Sequence, residues 1–176
     1  MWSGESGTAV CCNCSSRSIR IRVLGITAFC IVALLSPCSS QAADRLYYFW
    51  SFSMPEESIK SVFADGEKIG LIAVLRGLPE GSARKSLIRL KRLLGDRKVE
   101  VLIDPLLFRL YGIADAVPVI VYAEGVNPSC EHCEPTPRHW NAVGDVSLET
   151  ALENLDRQVP AVERYLKKLR EGFYTK

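Results

Sequence analysis

Apolar and polar positions repeat along this chain with two periods, one suited to strands and one to helices. Arg45 to Phe52, RLYYFWSF, is a short run dense in aromatic residues, which predicts a buried strand. From about Met54 to Glu67, Ile59, Val62 and Phe63 recur at helical spacing. Ser53 and Glu56 stand three residues apart ahead of this helix and read as a capping box, with Pro55 in the first turn. Leu71 to Leu78, LIAVLRGL, is apolar enough for a sheet interior. Ser82 to Arg97 is amphipathic, with Leu87, Leu90 and Leu94 expected to face inward. Its five cations, Arg84, Lys85, Arg89, Lys91 and Arg92, read first as a solvated face.

The second half continues the alternation. Val99 to Asp104 predicts a third strand, and Pro105 to Ile113 a short helix stopping at Gly112, with Asp104 as its cap rather than a catalytic acid. Val117 to Ala123 predicts a fourth strand and HWNAVGDV, from His139, a fifth. Ser147 caps a helix whose inner face is Leu148, Leu152 and Leu155. Pro160 interrupts it, and AVERYLKKLREGF continues as a helical tail. Two parallel crossovers followed by an antiparallel hairpin and a helix imply an α/β fold, a mixed sheet flanked by helices.

The N-terminus has a different character. Arg17, Arg20 and Arg22 precede the uncharged apolar run Val23 to Leu35, and SPCSSQAA follows. This is the tripartite pattern of a secretory signal peptide. Ser40 and Ala42 suit the small-residue positions before a cut, so residues 1–42 are expected to be removed. The apolar run falls short of the ~20 residues a membrane span needs, so no stable span is expected in the mature form. Without the three arginines and one glutamate upstream of residue 43, the 22 basic and 20 acidic side chains become 19 of each. A near-neutral chain carries no overall field for nucleic acid. No Ser-His-Asp arrangement, phosphate-binding glycine loop or paired carboxylate site stands out, and no cofactor is expected.

The segment IDPLLFRLYGIADAVPVIVYA resembles the thioredoxin family, in which a strand and a short helix lead to a Val-Pro that opens the next strand. The resemblance implies a thioredoxin-like domain over 43–160, with a cis Pro118 facing the first helix and a hairpin insertion at 125–138, followed by a tail at 161–176. Redox-active members carry Cys-x-x-Cys at the start of that helix, where a thiolate is stabilised. Here Ser53, Met54, Pro55 and Glu56 fill those positions. SFSMPEESIK, VLRGLPEGS and the Ile103–Ala123 segment together also resemble the TrbC family of F-type conjugative transfer systems. That resemblance implies a periplasmic, non-enzymatic factor in conjugative pilus assembly, working with periplasmic proteins such as TraW-like ones. A partner segment would lie in a groove formed by Ser53, Met54, Pro55, Arg76, Val117 and Pro118, in a strand-addition mode. Arg76 reads equally as a solvated arginine before a turn.

NPSCEHCEPTPRH, from Asn127 to His139, holds Cys130 and Cys133, two of the chain's 7 cysteines and both of those beyond residue 42. Three readings follow. An intraloop disulfide fits an oxidising compartment, although so small a ring contributes only about 2 kcal/mol. A redox pair would make the protein a thiol–disulfide oxidoreductase or isomerase, but Glu131 and Glu134 oppose a thiolate. A zinc site would use Cys130, Cys133 and His139, with His132 or water as the fourth ligand. The disulfide is the expected state, and no metal site is expected.

Overall fold

The computed structural model describes residues 42–79, 82–114, 118–127 and 136–174. Strand β1 (Ala43–Trp50) leads into helix α1 (Glu56–Ile69), strand β2 (Ile72–Leu75) into α2 (Ala83–Leu94), and β3 (Glu100–Ile103) into the short α3 (Pro105–Leu110). Strands β4 (Val119–Val126) and β5 (His139–Val143) follow, then α4 (Leu148–Asp156), a 3-10 turn at Pro160–Val162 and α5 (Glu163–Tyr174). The five strands form one sheet in the order β3-β2-β1-β4-β5. The β1–β2 and β2–β3 pairs are parallel, and β4 runs antiparallel to both β1 and β5. This is the mixed sheet that the alternation predicts.

Period-two alternation in the central strand explains the two cores. Leu46, Tyr48 and Trp50 point to one face, with Ile59, Val62 and Phe63 of α1, Leu90 and Leu93 of α2, and Leu148, Leu152 and Leu155 of α4. Tyr47 and Phe49 point to the other, with Leu107 and Phe108 of α3 and with Tyr111 and Ile113. Two successive right-handed crossovers in one direction put α1 and α2 on the same face, and the return to β4 puts α3 on the opposite one. Leu166 and Leu169 of α5 are buried on the α1 face, so the helical segment beyond Pro160 contributes to the core.

Local signals set some helix ends and not others. Asp104 caps α3 by accepting from the amides of Leu106 and Leu107 at 2.7 and 3.2 Å. Ser147 accepts from Thr150 N at 3.2 Å and caps α4. The capping box expected at α1 does not form. Pro55 is the N-cap, without a side-chain cap bond, and the Ser53 hydroxyl pairs instead with that of Ser51 at 3.0 Å. A turn closed by Met54 N donating to Ser51 O at 3.2 Å holds Ser53 there, while Glu56 reaches out to α2. The inward stripe of α2 also differs from expectation. Ser86, Leu90 and Leu93 are buried, whereas Leu87 is 50% exposed. Ser86 fits this face because its hydroxyl bonds back to Ser82 O at 3.3 Å, and the same rotation brings Arg89 onto Glu56.

Asp44 ties β1 to β4 and α5. It accepts from Tyr122 Oη at 3.0 Å, Gly125 N at 3.2 Å and Arg164 Nη2 at 2.7 Å. Partial burial opposes its ionisation, but these donors and the Arg164 charge outweigh that and hold its carboxyl below the usual range. A depressed folded-state value means a contribution present above the unfolded value of about 3.9 and lost as pH falls through the folded value. Asp44→Asn should therefore lower stability by about 1–2 kcal/mol at pH 7, discounted for solvent screening. Urea unfolding at pH 7 and pH 3 checks this. The gap between the two proteins should narrow at pH 3, and an equal gap at both values would contradict the role of the ionised carboxylate.

Candidate functional site

The carboxyl-terminal ends of parallel strands are the usual binding edge of an open α/β sheet, because the chain leaves there in loops aimed at solvent. Here β1 ends at Trp50 and β2 at Leu75, and a cavity of about 720 Å³ lies beside both ends. Its apolar wall includes Trp50, Phe52, Leu75, Leu78 and Phe108. Ser51 and Ser53 supply hydroxyls, and Arg76 and Arg89 supply charge.

Each polar group is held by an identifiable contact. Arg76 leaves the end of β2 exposed to solvent, yet its guanidinium is fixed twice. It lies over the Phe108 ring, 5.0 Å from the centroid, and donates from Nη2 to the Ile113 carbonyl at 3.0 Å. Arg89 reaches from α2 across Phe52, 5.4 Å from the centroid, to Glu56 at 3.2 Å. Glu56 also receives Arg92 at 2.9 Å and Lys60 at 3.8 Å. Partial desolvation opposes ionisation of Glu56, but the bonds from Arg92 and Arg89 and their charges outweigh it and lower its pKa. Phe52 packs on Trp50 with ring centroids 5.1 Å apart, so the aromatic floor continues into the core.

The expected groove residues take different positions. Ser53 and Arg76 line the cavity together. Met54 turns away and is 8% exposed within the α1-side core. Pro55 is exposed at the head of α1. Pro118 is half-buried, and its carbonyl accepts from Gly144 N at 3.0 Å in the β4–β5 hairpin. Val117, Cys130 and Cys133 lie outside the described residues. His139 packs edge-on to Tyr111, with centroids 5.0 Å apart, and its Nδ1 is 3.0 Å from Pro137 O. Sequence reasoning missed Phe52, Phe108, Arg89 and Glu56. The aromatic residues at the end of β1 and in α3 gave a signal, but nothing local showed that they converge.

A central strand running into a helix, a parallel partner on one side and an antiparallel hairpin on the other define a thioredoxin-like domain. The head of its first helix carries Ser-Met-Pro-Glu, and no cysteine occurs among the described residues. The chain belongs to the family of type-F conjugative transfer system pilin assembly proteins, whose family model matches residues 48–155. It is 34% identical over 76 residues to the periplasmic protein TrbC of Escherichia coli K12, a stretch that covers 43% of this chain and 36% of that protein. The match thus spans about a third of the relative's length. Among solved structures, MTB DsbF in its mixed oxidised and reduced forms is similar with a TM-score of 0.44 and 14% identity, covering 70% of this chain and 84% of that one. Among the described residues no helix is long and apolar enough to cross a membrane.

Proposed function

We propose that this protein acts in the periplasm as a non-enzymatic assembly factor for a conjugative pilus, exported by cleavage of residues 1–42. It holds an extended segment of a partner assembly protein, such as a TraW-like protein, in the groove beside β1 and β2. Ser53 and Arg76, which line the cavity, contact the segment, and Met54 and Pro55 shape the head of α1. The observation that carries the reading is the chemistry at the head of α1. Helix dipole and backbone amides there depress a thiol's pKa in redox-active relatives of the fold, and this chain offers only hydroxyl, thioether, imino acid and carboxylate. Recognition persists without exchange chemistry, because backbone pairing in a groove needs no sulfur.

Cys130 and Cys133 form a structural disulfide in this account. Protein purified from periplasmic extract should give no turnover in an insulin-reduction assay. Alkylated without reductant, it should gain no mass at either cysteine, and with reductant it should gain two adducts. Turnover that disappears in Cys130→Ser would establish the thiol–disulfide enzyme instead. Free thiols in the freshly exported protein, or stoichiometric zinc, would overturn the disulfide.

A further inference from the structure

We infer that the groove selects a polypeptide segment in which a carboxylate side chain is flanked by large apolar ones. This rests on the partner-binding reading above and adds the chemistry of the bound segment. A second cavity of about 430 Å³ adjoins the first, and the two share Arg76, Phe108 and Ala114 in their walls. The first is floored by Trp50, Phe52 and Leu75, and the second is walled by Pro105 and Ile113. Arg76 therefore stands at the divide between two partly apolar hollows.

Among the described residues the charge at that divide meets no counterion. Its two fixed contacts are a neutral carbonyl and an aromatic face. No carboxylate pairs with Arg76 among the described residues, and no described Asp or Glu lines either cavity. Arg89 differs, since Glu56 already receives it. Arg109, in the wall of the second cavity, adds a further exposed cation with no ion pair among the described residues. The single bond to Ile113 O leaves most of the five guanidinium donors of Arg76 for a carboxylate, which they can meet as a bidentate fork. The fork is already oriented, so little side-chain freedom is lost on binding. A wholly apolar segment would instead strip water from an unpaired cation, which is unfavourable.

Spacing gives the pattern. In an extended segment alternate side chains point the same way, about 7 Å apart. An acid over Arg76 therefore directs the residues two before and two after it toward the two hollows. The probes are the blocked pentapeptides Phe-Ser-Glu-Ser-Leu and Phe-Ser-Gln-Ser-Leu, titrated into the isotopically labelled protein while its backbone amides are followed by NMR. The Glu peptide should shift amides at Arg76, Gly77, Phe108 and Ala114, and bind about tenfold more tightly than the Gln peptide. Arg76→Gln should bring the ratio close to one. The Glu-versus-Gln comparison on the unaltered chain decides the matter even if that variant folds poorly. Equal binding of both peptides in the groove overturns the carboxylate and leaves the groove reading standing. Shifts confined to another surface, such as the edge of β5, overturn both. An absence of shifts with either peptide overturns the inference.

Discussion

Phe63→Ala should lower the unfolding free energy by about 3–5 kcal/mol, the range for deleting a fully buried aromatic ring. Phe63 has no exposed surface and is among the largest fully buried side chains. Its ring meets Tyr48 edge-on at 6.5 Å and Trp50 edge-on at 5.4 Å. Both partners belong to the central strand, so the vacated space would lie where α1 joins the sheet and cannot close without moving one of them. Edge-to-face contacts of this kind add about 0.5–1.5 kcal/mol each beyond burial. A domain of this size is typically stable by roughly 5–15 kcal/mol, so the variant should be close to the threshold of folding. Denaturant unfolding measures the loss, and a value below about 1 kcal/mol would show that α1 is not anchored through this ring. Trp50 and Phe52 also line the cavity, so loosening this contact should disturb the groove as well.

What the sequence made legible was local. Asp104 and Ser147 act within three residues of their own position, and both cap as the pattern predicts. The stripe of Leu148, Leu152 and Leu155 is buried as expected because no alternative stripe on α4 is as apolar. On α2 the expected stripe through Leu87 is out of phase by one position with the buried one through Ser86. Tertiary contacts decide it. Leu93 enters the core, and Arg89 meets Glu56, 33 residues away in sequence. Those arginines also draw Glu56 away from the capping role that its spacing from Ser53 suggested. The family and the mixed sheet were legible because ordered segments carry both. Of the expected groove residues that are described, Ser53 and Arg76 line the candidate cavity. Its remaining walls come from β1, α2 and α3, and no spacing rule links those positions. Met54 shows the limit most clearly, because its place at the head of α1 suggests the groove while its side chain is buried in the core.

Filling the groove should abolish most of the protein's contribution to conjugation. Ser53 is exposed and lines the cavity beside Arg76. Ser53→Trp puts an indole into the space without removing any core contact, whereas a Met54 substitution would confound binding with packing. Central contacts in an interface commonly carry 2 kcal/mol or more, a factor of about thirty in affinity. The most direct measurement is transfer frequency from donor cells that lack the chromosomal or plasmid copy and are complemented with variants exported at equal levels. The account predicts that Ser53→Trp, folded by circular dichroism, lowers transfer about tenfold or more, while the Cys130→Ala/Cys133→Ala double variant transfers as well as the unaltered protein. Normal transfer by Ser53→Trp together with loss of transfer by the cysteine variant would contradict it, and would move the working site from the groove to the thiols.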